Sequence, residues 1–400
     1  MKRLLTSLLI LLTVLPASAL RVPHYPFVRS DLNVLEMPAG ASPSYDIFLR
    51  KLDTLIHTGG TDVRVLHVGG SHVQGGTWSD RLRRDFLSLR YGADGGRGLV
   101  FPFSAAGTNT PASYSSSFAG EWESATCMRP RDVTLGLTGM ALTARDTSAK
   151  VVIDLLPREA HLMQQRYTFN QVDVLGEGTL EPVLLLNKKD TLRGVDGHFV
   201  IPYYTDWVQL GFAGSGYYTL RGLYLDKPNQ GFSLMEAGVN GASTTAWLRC
   251  ELWEEDLRRV MPDLVIFSIG INDIQGGDFD PARFKEHYRE LIRAVRRVNP
   301  YCAILFSGIN DSWRRRDVNS HTEAAEQAFR ELARECTGVF WDWYKVMGGY
   351  GSMARWQEAG LAQGDKIHFT PTGYKLVGDL LFEAIVEKCS FAAAFNVWAE

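Results

Sequence analysis

The sequence has no long apolar segment beyond its first twenty residues. Within them, an apolar run at residues 4–15 follows the positively charged start Met1-Lys2-Arg3 and precedes small residues at positions 16–19. The run is shorter than the about 20 residues that a membrane-spanning helix needs. This order is typical of a cleaved signal peptide, with a buried N-terminal helix as the alternative. We therefore predict a signal peptide at residues 1–19 and an exported mature chain, periplasmic or extracellular, without a membrane span.

The chain also lacks an excess of charge and lacks closely spaced cysteines. Its formal net charge is -3, and acidic and basic residues are mixed along the chain. We expect no nucleic-acid partner, because proteins that bind nucleic acids carry a basic surface. The five cysteines include no CxxC pair, which argues against a zinc site. An oxidising compartment would permit one or two disulfides, but the spacing does not indicate which cysteines pair.

Outside residues 110–228 the chain contains alternating strand and helix patterns. Short apolar runs predict strands, and apolar residues at helical spacing predict helices. The predicted strands are residues 63–68, 232–236, 263–269, 303–307 and 339–341, and the predicted helices are residues 78–89, 244–260, 283–298, 321–335 and 372–388. Such alternation implies parallel strands joined by right-handed crossovers. We predict a three-layer α/β/α fold with a parallel sheet.

Residues 110–228 have a different pattern, without a convincing helix. Short runs of β character recur there, separated by Gly, Asp, Asn and Pro, at residues 133–137, 150–155, 171–175, 182–186, 198–202, 208–212 and 218–225. Their close spacing favours a β-sandwich or jelly-roll. Because the segment separates the first strand–helix unit from the second strand, we predict an inserted β-sandwich domain at 110–228. The α/β domain is then formed by residues 20–109 and 229–400.

Three loops of the predicted α/β domain carry groups suited to acyl transfer. Ser71 follows Gly69-Gly70 at the end of the first strand, Gly241 lies in the turn after the second, and Asn272 follows the third. The carboxyl ends of parallel strands meet at one edge of a sheet, so these groups should gather there. Each loop taken alone is equally compatible with a turn or a helix cap.

A fourth loop, Asp365-Lys366-Ile367-His368, stands immediately before the last predicted helix. A spacing of three on a turn lets the carboxylate of Asp365 hold the imidazole of His368 and fix its tautomer. The other ring nitrogen is then free to deprotonate a serine. We therefore predict Ser71 as a nucleophile, His368 as its general base and Asp365 as the residue that orients the base.

This ordered set of motifs resembles the SGNH hydrolases, also called GDSL-type lipases and esterases. The resemblance covers about residues 63–107 and 232–389. It implies that the amides of Ser71 and Gly241 and the side chain of Asn272 form an oxyanion hole, and that no metal or organic cofactor is needed. Gly70 departs from the family pattern, which has Asp there; that Asp is not a member of the catalytic triad.

Further segments are similar to bacterial peptidoglycan O-acetylesterases, which carry a carbohydrate-binding-like β domain inside the hydrolase domain. These segments are residues 98–102 and 106–109, which lead into the insertion, and residues 348–353 with Trp356. The resemblance implies a secreted serine esterase that removes O-acetyl groups from a cell-wall or other extracellular polysaccharide, with peptidoglycan favoured. The alternatives are a polysaccharide O-acetyltransferase, which would use the same acyl-enzyme, and a catalytically inactive glycan-binding protein of this fold.

Three other polar residues lie close to these motifs. His67 falls within an apolar strand, which favours a buried histidine of the core over a catalytic one. His72 could line the cleft beside Ser71. Asp273 follows Asn272 and is interpreted as a cap of its loop.

Overall fold

The structure is a computed structural model that describes residues 23–155, 167–186, 190–228 and 230–390. The predicted signal peptide lies outside these residues. The strands are β1 (Leu35–Glu36), β2 (Val63–Gly69), β3 (Gly98–Val100), β4 (Ser115–Ala119), β5 (Glu123–Thr126), β6 (Met140–Ala144), β7 (Lys150–Asp154), β8 (Phe169–Gly178), β9 (Glu181–Leu186), β10 (Asp190–Arg193), β11 (His198–Thr205), β12 (Trp207–Ala213), β13 (Tyr218–Asp226), β14 (Phe232–Gly238), β15 (Leu264–Ser268), β16 (Ala303–Phe306), β17 (Trp313–Arg314), β18 (Asp317–Val318) and β19 (Val339–Trp341). The helices are α1 (Pro43–His57), α2 (Ser71–Gln74), α3 (Thr77–Ser88), α4 (Thr244–Trp247), α5 (Trp253–Val260), α6 (Ile271–Ile274), α7 (Pro281–Val298), α8 (Thr322–Glu335), α9 (Trp343–Val346), α10 (Ser352–Glu358) and α11 (Pro371–Val386), with a short 3-10 helix at Ser30–Leu32.

A central sheet has the strand order β1-β19-β16-β15-β2-β14. All of its neighbouring pairs are parallel except that of the edge strand β1, which runs antiparallel to β19. Strands β14, β15, β16 and β19 are buried throughout, as expected for a parallel sheet that is covered on both faces. The predicted parallel sheet is confirmed, and β1 adds an antiparallel edge that the sequence pattern does not indicate.

Helices form the two outer layers. Helix α3 packs on α11, and the hydroxyl of Tyr45 in α1 donates to the carbonyl of Ile385 in α11 at 3.1 Å. Helix α7 contacts both α5 and α8, which form the other layer. Helix α1 is not among the predicted helices, although Pro43 starts it and the buried residues Phe48, Leu52 and Leu55 recur at helical spacing.

Between α3 and β14 the chain forms two antiparallel sheets. Their strand orders are β10-β9-β12-β7-β4 and β11-β8-β13-β6-β5, and β3 pairs with β13 at the second sheet. In β7 the buried residues Val151 and Ile153 alternate with partly exposed ones, a pattern typical of sheets packed face to face. These sheets account for the predicted β region. The boundary at residue 110 stays a prediction, although β3, which precedes it, already pairs with the second sheet.

Two local predictions are wrong. The predicted helix at residues 244–260 is interrupted, because only α4 and α5 are helical. The predicted strand at residues 133–137 does not form, since its backbone bonds to the α5 region instead. The amide of Leu137 donates to Asp256 at 2.9 Å, that of Leu135 donates to Glu251 at 3.1 Å, and the carbonyl of Leu135 accepts from Leu252 at 2.8 Å.

Across the described ranges, no helix combines the length and apolar character needed to cross a membrane. The same ranges contain no group of three or more His, Cys, Asp or Glu side chains that could hold a metal ion. All five cysteines lie within them, and each is a free thiol.

Candidate active site

Ser71 is the first residue of α2, a single turn at the carboxyl end of β2. Two glycines that pair in register, Gly69 and Gly238, let this turn lie directly against the sheet. A Cβ at Gly69 would stand 2.3 Å from Cγ2 of Val73, and one at Gly238 would stand 2.3 Å from the backbone nitrogen of Gln74. No larger residue fits at either position. At the start of a helix the amide of Ser71 has no intrahelical partner, so it can donate elsewhere.

A chain of hydrogen-bond distances joins Ser71, His368 and Asp365. Oγ of Ser71 lies 2.7 Å from Nε2 of His368, and Nδ1 of His368 lies 2.7 Å from Oδ2 of Asp365. Oδ1 of Asp365 accepts from the backbone amides of Ile367 and His368 at 2.9 and 3.0 Å. Partial burial opposes ionisation of Asp365, but the bonds from the His368 ring and from these amides hold its pKa below the usual value. The ionised carboxylate thus favours a proton on Nδ1 and leaves Nε2 to accept from Ser71.

Asn272 lies on α6, at the carboxyl end of β15. Its Nδ2 donates to the carbonyl of Ala242 at 3.0 Å, which ties α6 to the loop that contains Gly241. Gly241 has φ of 78°, a left-handed conformation that favours glycine. An amide group carries two N–H donors, and one of them satisfies Ala242. The structure brings Ser71, Gly241 and Asn272 to one edge of the sheet, and their joint service as an oxyanion hole stays a prediction.

Gly70 fits closely between these loops. A Cβ at this position would lie 3.1 Å from Nδ2 of Asn272 and 3.4 Å from the carbonyl oxygen of Ala242. Its φ of -94° lies outside the left-handed region, so a left-handed backbone is not the reason for glycine here. The missing side chain instead leaves room for the amide of Asn272. The departure from the Gly-Asp-Ser pattern is therefore accompanied by close approach of Asn272 to the nucleophile loop.

Gln74 is a positioning residue that the sequence patterns do not reveal. Its Nε2 donates to Oγ1 of Thr108 at 3.0 Å and to the carbonyl of Asn109 at 3.1 Å, while its Oε1 accepts from the amide of Asn240 at 2.6 Å. One fully buried side chain thus links α2 to the Gly241 loop and to the segment that leads into the antiparallel sheets. The sequence draws attention to one end of this link, because residues 106–109 are similar to the acetylesterases, but it does not point to Gln74.

His72 is buried behind His368 and does not face the open cleft. Its ring centroid lies 5.1 Å from that of His368, and its Nδ1 lies 2.8 Å from the hydroxyl of Tyr374. Burial, assisted by the nearby His368, lowers the pKa of His72 to about 3. The ring is therefore neutral in the physiological range. It supports the imidazole of His368 without adding charge.

His67 and Asp273 each have structural partners. The ring of His67 is fully buried, with Nδ1 2.9 Å from Oγ of Ser79 and Nε2 2.7 Å from Oγ of Ser268. Asp273 accepts from the hydroxyl of Thr244 at 2.6 Å and from its amide at 3.1 Å, which fixes the start of α4. Burial raises the pKa of Asp273 to about 6, although the bonds from Thr244 oppose the rise.

Comparison with known proteins is consistent with this geometry. Residues 207–376 match the model of the GDSL-like Lipase/Acylhydrolase family. This range includes Gly241, Asn272, Asp365 and His368, whereas Ser71 lies before it and is brought to them by the fold. Comparison with curated proteins finds no match.

Among solved structures, a peptidoglycan O-acetylesterase superposes with a TM-score of 0.73 at 23% identity, over 91% of this chain and 99% of the other. An acetyl xylan esterase gives a TM-score of 0.31 at 20% identity, over 38% of this chain and 81% of the other. A lipase/acylhydrolase from Enterococcus faecalis gives 0.32 at 20% identity, over 39% and 76%.

The fold and the family match define the class of this protein as a carboxylic ester hydrolase with the SGNH fold. The similarity to the GDSL-like Lipase/Acylhydrolase family is carried by residues 207–376. The predicted fold and enzyme class are confirmed. The antiparallel sheets between α3 and β14 are consistent with a β domain inserted into that hydrolase fold.

Proposed function

We propose that this protein removes O-acetyl groups from an exported polysaccharide, with peptidoglycan favoured, by acyl transfer through Ser71, His368 and Asp365. The observation that carries the proposal is the continuous chain of 2.7 Å contacts from Oγ of Ser71 through the His368 ring to Asp365. Such a chain is the arrangement that activates a serine hydroxyl at neutral pH. No step of the reaction needs a metal or an organic cofactor.

In the first half-reaction Oγ of Ser71 attacks the acetyl carbonyl carbon while Nε2 of His368 takes its proton. The tetrahedral oxyanion is held by the amides of Ser71 and Gly241 and by Nδ2 of Asn272. One such donor typically contributes about 3 kcal/mol of transition-state stabilisation. The ester bond then breaks, and the sugar oxygen leaves with the proton from His368. The product is an acetyl ester on Ser71.

In the second half-reaction water attacks the acetyl-serine while His368 takes a proton from that water. Collapse of the second tetrahedral intermediate returns the proton to Oγ of Ser71 and releases acetate. Asp365 remains ionised throughout and stabilises the imidazolium that forms twice in the cycle. The lowered pKa of the Asp365 carboxyl supports this role, because it keeps the carboxylate ionised.

Two observations support a polysaccharide substrate. The similarity to the peptidoglycan O-acetylesterase extends over both the α/β part and the antiparallel sheets. The segment at residues 1–19 has the order of a signal peptide, which would deliver the enzyme to the compartment where cell-wall glycans lie. We therefore propose that the enzyme acts in the periplasm or outside the cell.

The test is acetate release from O-acetylated peptidoglycan and from acetylated xylan by the wild type and by S71A. We expect release by the wild type, faster from peptidoglycan, and a loss of kcat of about 10⁴-fold or more in S71A, because no other group supplies the nucleophile. S148A is the matched control, since Ser148 lies in an exposed turn and its hydroxyl bonds to the neighbouring Asp146. Absence of release from both substrates, or acetyl transfer to an added glycan acceptor instead of to water, would contradict the proposal.

A further inference from the structure

A cavity of about 800 Å³ lies beside the candidate active site. Its walls are the first turns of α3, the segment at residues 104–116 and the first turn of α11. Neither Ser71 nor His368 lines it. Its volume is large enough for a small ligand or for a unit of a polymer.

Both chain segments that carry the candidate catalytic residues continue into this cavity. Gly75 follows Ser71 by one turn of α2, about 6 Å along the helix axis, and forms part of the wall. On the other side Pro371 and Lys375 follow His368 and line the cavity at the start of α11. A glycan whose acetyl group is held at Ser71 can therefore place a neighbouring part of the polymer in the cavity.

The charged groups of the cavity are mainly basic. Lys375 is exposed and forms no ion pair with any residue in the described ranges. Arg84 is 42% exposed and contacts Asp80 at 2.8 Å, but Asp80 is shared with Arg83 at 3.0 Å. Asp80 is the single carboxylate of the wall, and its charge is already balanced by Arg83 and Arg84. Lys375 therefore has no counter-ion among the described residues.

The helix ends of the wall add positive potential, whereas Arg81 does not. Arg81 also lines the cavity, but it is paired with Asp379 and Asp85, so its charge is balanced. The amino ends of α3 and α11 both face this region, and the amino end of a helix carries a partial positive charge.

The remaining wall is suited to a sugar. Thr108 and Asn109 line it with a hydroxyl and an amide. The hydroxyl of Ser116 lies between those of Thr110 and Ser104, at 3.1 and 2.9 Å, which fixes their orientation. Hydroxyl and amide groups provide hydrogen-bond donors and acceptors for the hydroxyl groups of a pyranose.

We propose that this cavity binds a carboxylate-bearing unit of the acetylated glycan, with Lys375 and Arg84 as the groups that hold the carboxylate. The inference rests on the proposed deacetylase function and defines its substrate as an acidic glycan. The carboxylate can come from a lactyl ether, as on a muramic acid unit, or from a uronic acid. Either source presents the same anionic group to the same two cations.

The test compares matched ligands that differ by the acidic group. One pair is the disaccharide N-acetylglucosamine–N-acetylmuramic acid and chitobiose, and the other is a xylo-oligosaccharide with and without a glucuronic acid branch. Calorimetric titration of the wild type should show about tenfold or greater preference for the acidic member of at least one pair, because hydrogen bonds to a charged group are the stronger kind. Which pair shows the preference identifies the source of the carboxylate.

The variants K375A and R84A should each remove most of that preference, and added salt should weaken it in the wild type. R293A is the matched control, because Arg293 is an exposed cation on α7 in the opposite helix layer, and it should retain the preference. Equal affinity for both members of both pairs, or full preference in K375A and R84A, would overturn the inference. Acetate release decides the proposed function separately, so failure of one proposal is distinguishable from failure of the other.

Discussion

At the scale of single residues, Gly70 decides how close Asn272 comes to the nucleophile loop. A side chain at Gly70 would begin 3.1 Å from Nδ2 of Asn272, a separation at which the neighbour has to move by a few tenths of an ångström. The Asp that the family usually has at this position would also be free to accept a hydrogen bond from that amide. The glycine therefore leaves Asn272 with Ala242 as its protein acceptor and with one donor available.

We predict that G70D lowers kcat on p-nitrophenyl acetate by about 10- to 100-fold, because displacement of Asn272 weakens one oxyanion donor without removing it. The matched control is G276A, since a Cβ at Gly276 meets nothing closer than 3.6 Å. Unchanged kcat in G70D would show that Asn272 keeps its position and that the glycine is not needed for it.

His67 should make the protein sensitive to acid. Burial lowers the pKa of its ring to about 3, whereas in the unfolded chain it is near 6.5. The unfolded state therefore binds the proton first, so the stability contributed by neutral His67 is full above pH 6.5 and is lost as the pH falls toward 3.

We predict that the free energy of unfolding falls less in H67N than in the wild type between pH 7 and pH 5, by about 2 kcal/mol. Urea titrations at both pH values measure the difference. H24N removes an exposed histidine, and its free energy of unfolding should fall by the same amount as that of the wild type. Equal losses of unfolding free energy in H67N and in the wild type would mean that other groups cause the acid sensitivity.

At the scale of elements, the start of α11 fixes the loop that carries Asp365 and His368. Oγ1 of Thr370 accepts from the amide of Gly373 at 3.2 Å and donates to the carbonyl of Gly360 at 2.9 Å. The first bond caps the helix, and the second joins it to the chain after α10.

We predict that T370A lowers the free energy of unfolding by about 1 kcal/mol, because the amide of Gly373 loses its cap. T370S retains the hydroxyl and should lie close to the wild type. The measurement is urea unfolding of the three proteins, and equal stability of T370A and the wild type would show that another group satisfies that amide.

Elements with a strong apolar pattern could be predicted from the sequence. The predicted strand at residues 263–269 corresponds to β15, and the predicted helix at residues 283–298 corresponds to most of α7. The pattern fails where side chains of another element take the backbone bonds, as Asp256 and Glu251 do for residues 135–137. It also fails for β1, whose two residues are too few to show a period.

At the scale of the whole molecule, a buried ion cluster joins the central sheet to the antiparallel sheets. Glu236 of β14 pairs with Arg83 of α3 and with Arg97 before β3, at 2.6 Å for the second pair, and accepts from Ser113 at 3.2 Å. Both arginine side chains are at most 1% exposed. Burial works against ionisation, but the two arginines hold the pKa of Glu236 below its usual value.

We predict that E236Q lowers the free energy of unfolding by about 3–5 kcal/mol, because among the described residues it leaves the buried guanidinium of Arg97 without a counter-charge and leaves Arg83 with Asp80 alone. E123Q is the control, since Glu123 forms an exposed pair with Arg145, and no measurable change is expected there. Urea unfolding compares the variants, and a loss below 1 kcal/mol in E236Q would show that water or another carboxylate compensates.

For the fold and the candidate site together, some features follow from the sequence and others only from the tertiary structure. The sequence by itself determined the parallel sheet and indicated the β region between α3 and β14, and it predicted Ser71, Gly241, Asn272, Asp365 and His368 as a set, because these depend on local periodicity and on short motifs. Only the tertiary structure decided that Gln74 links the loops, that His72 is buried behind His368, and that Lys375 and Arg84 share a cavity. Those relations join residues that are far apart in the chain, and periodicity within one element contains no information about such contacts.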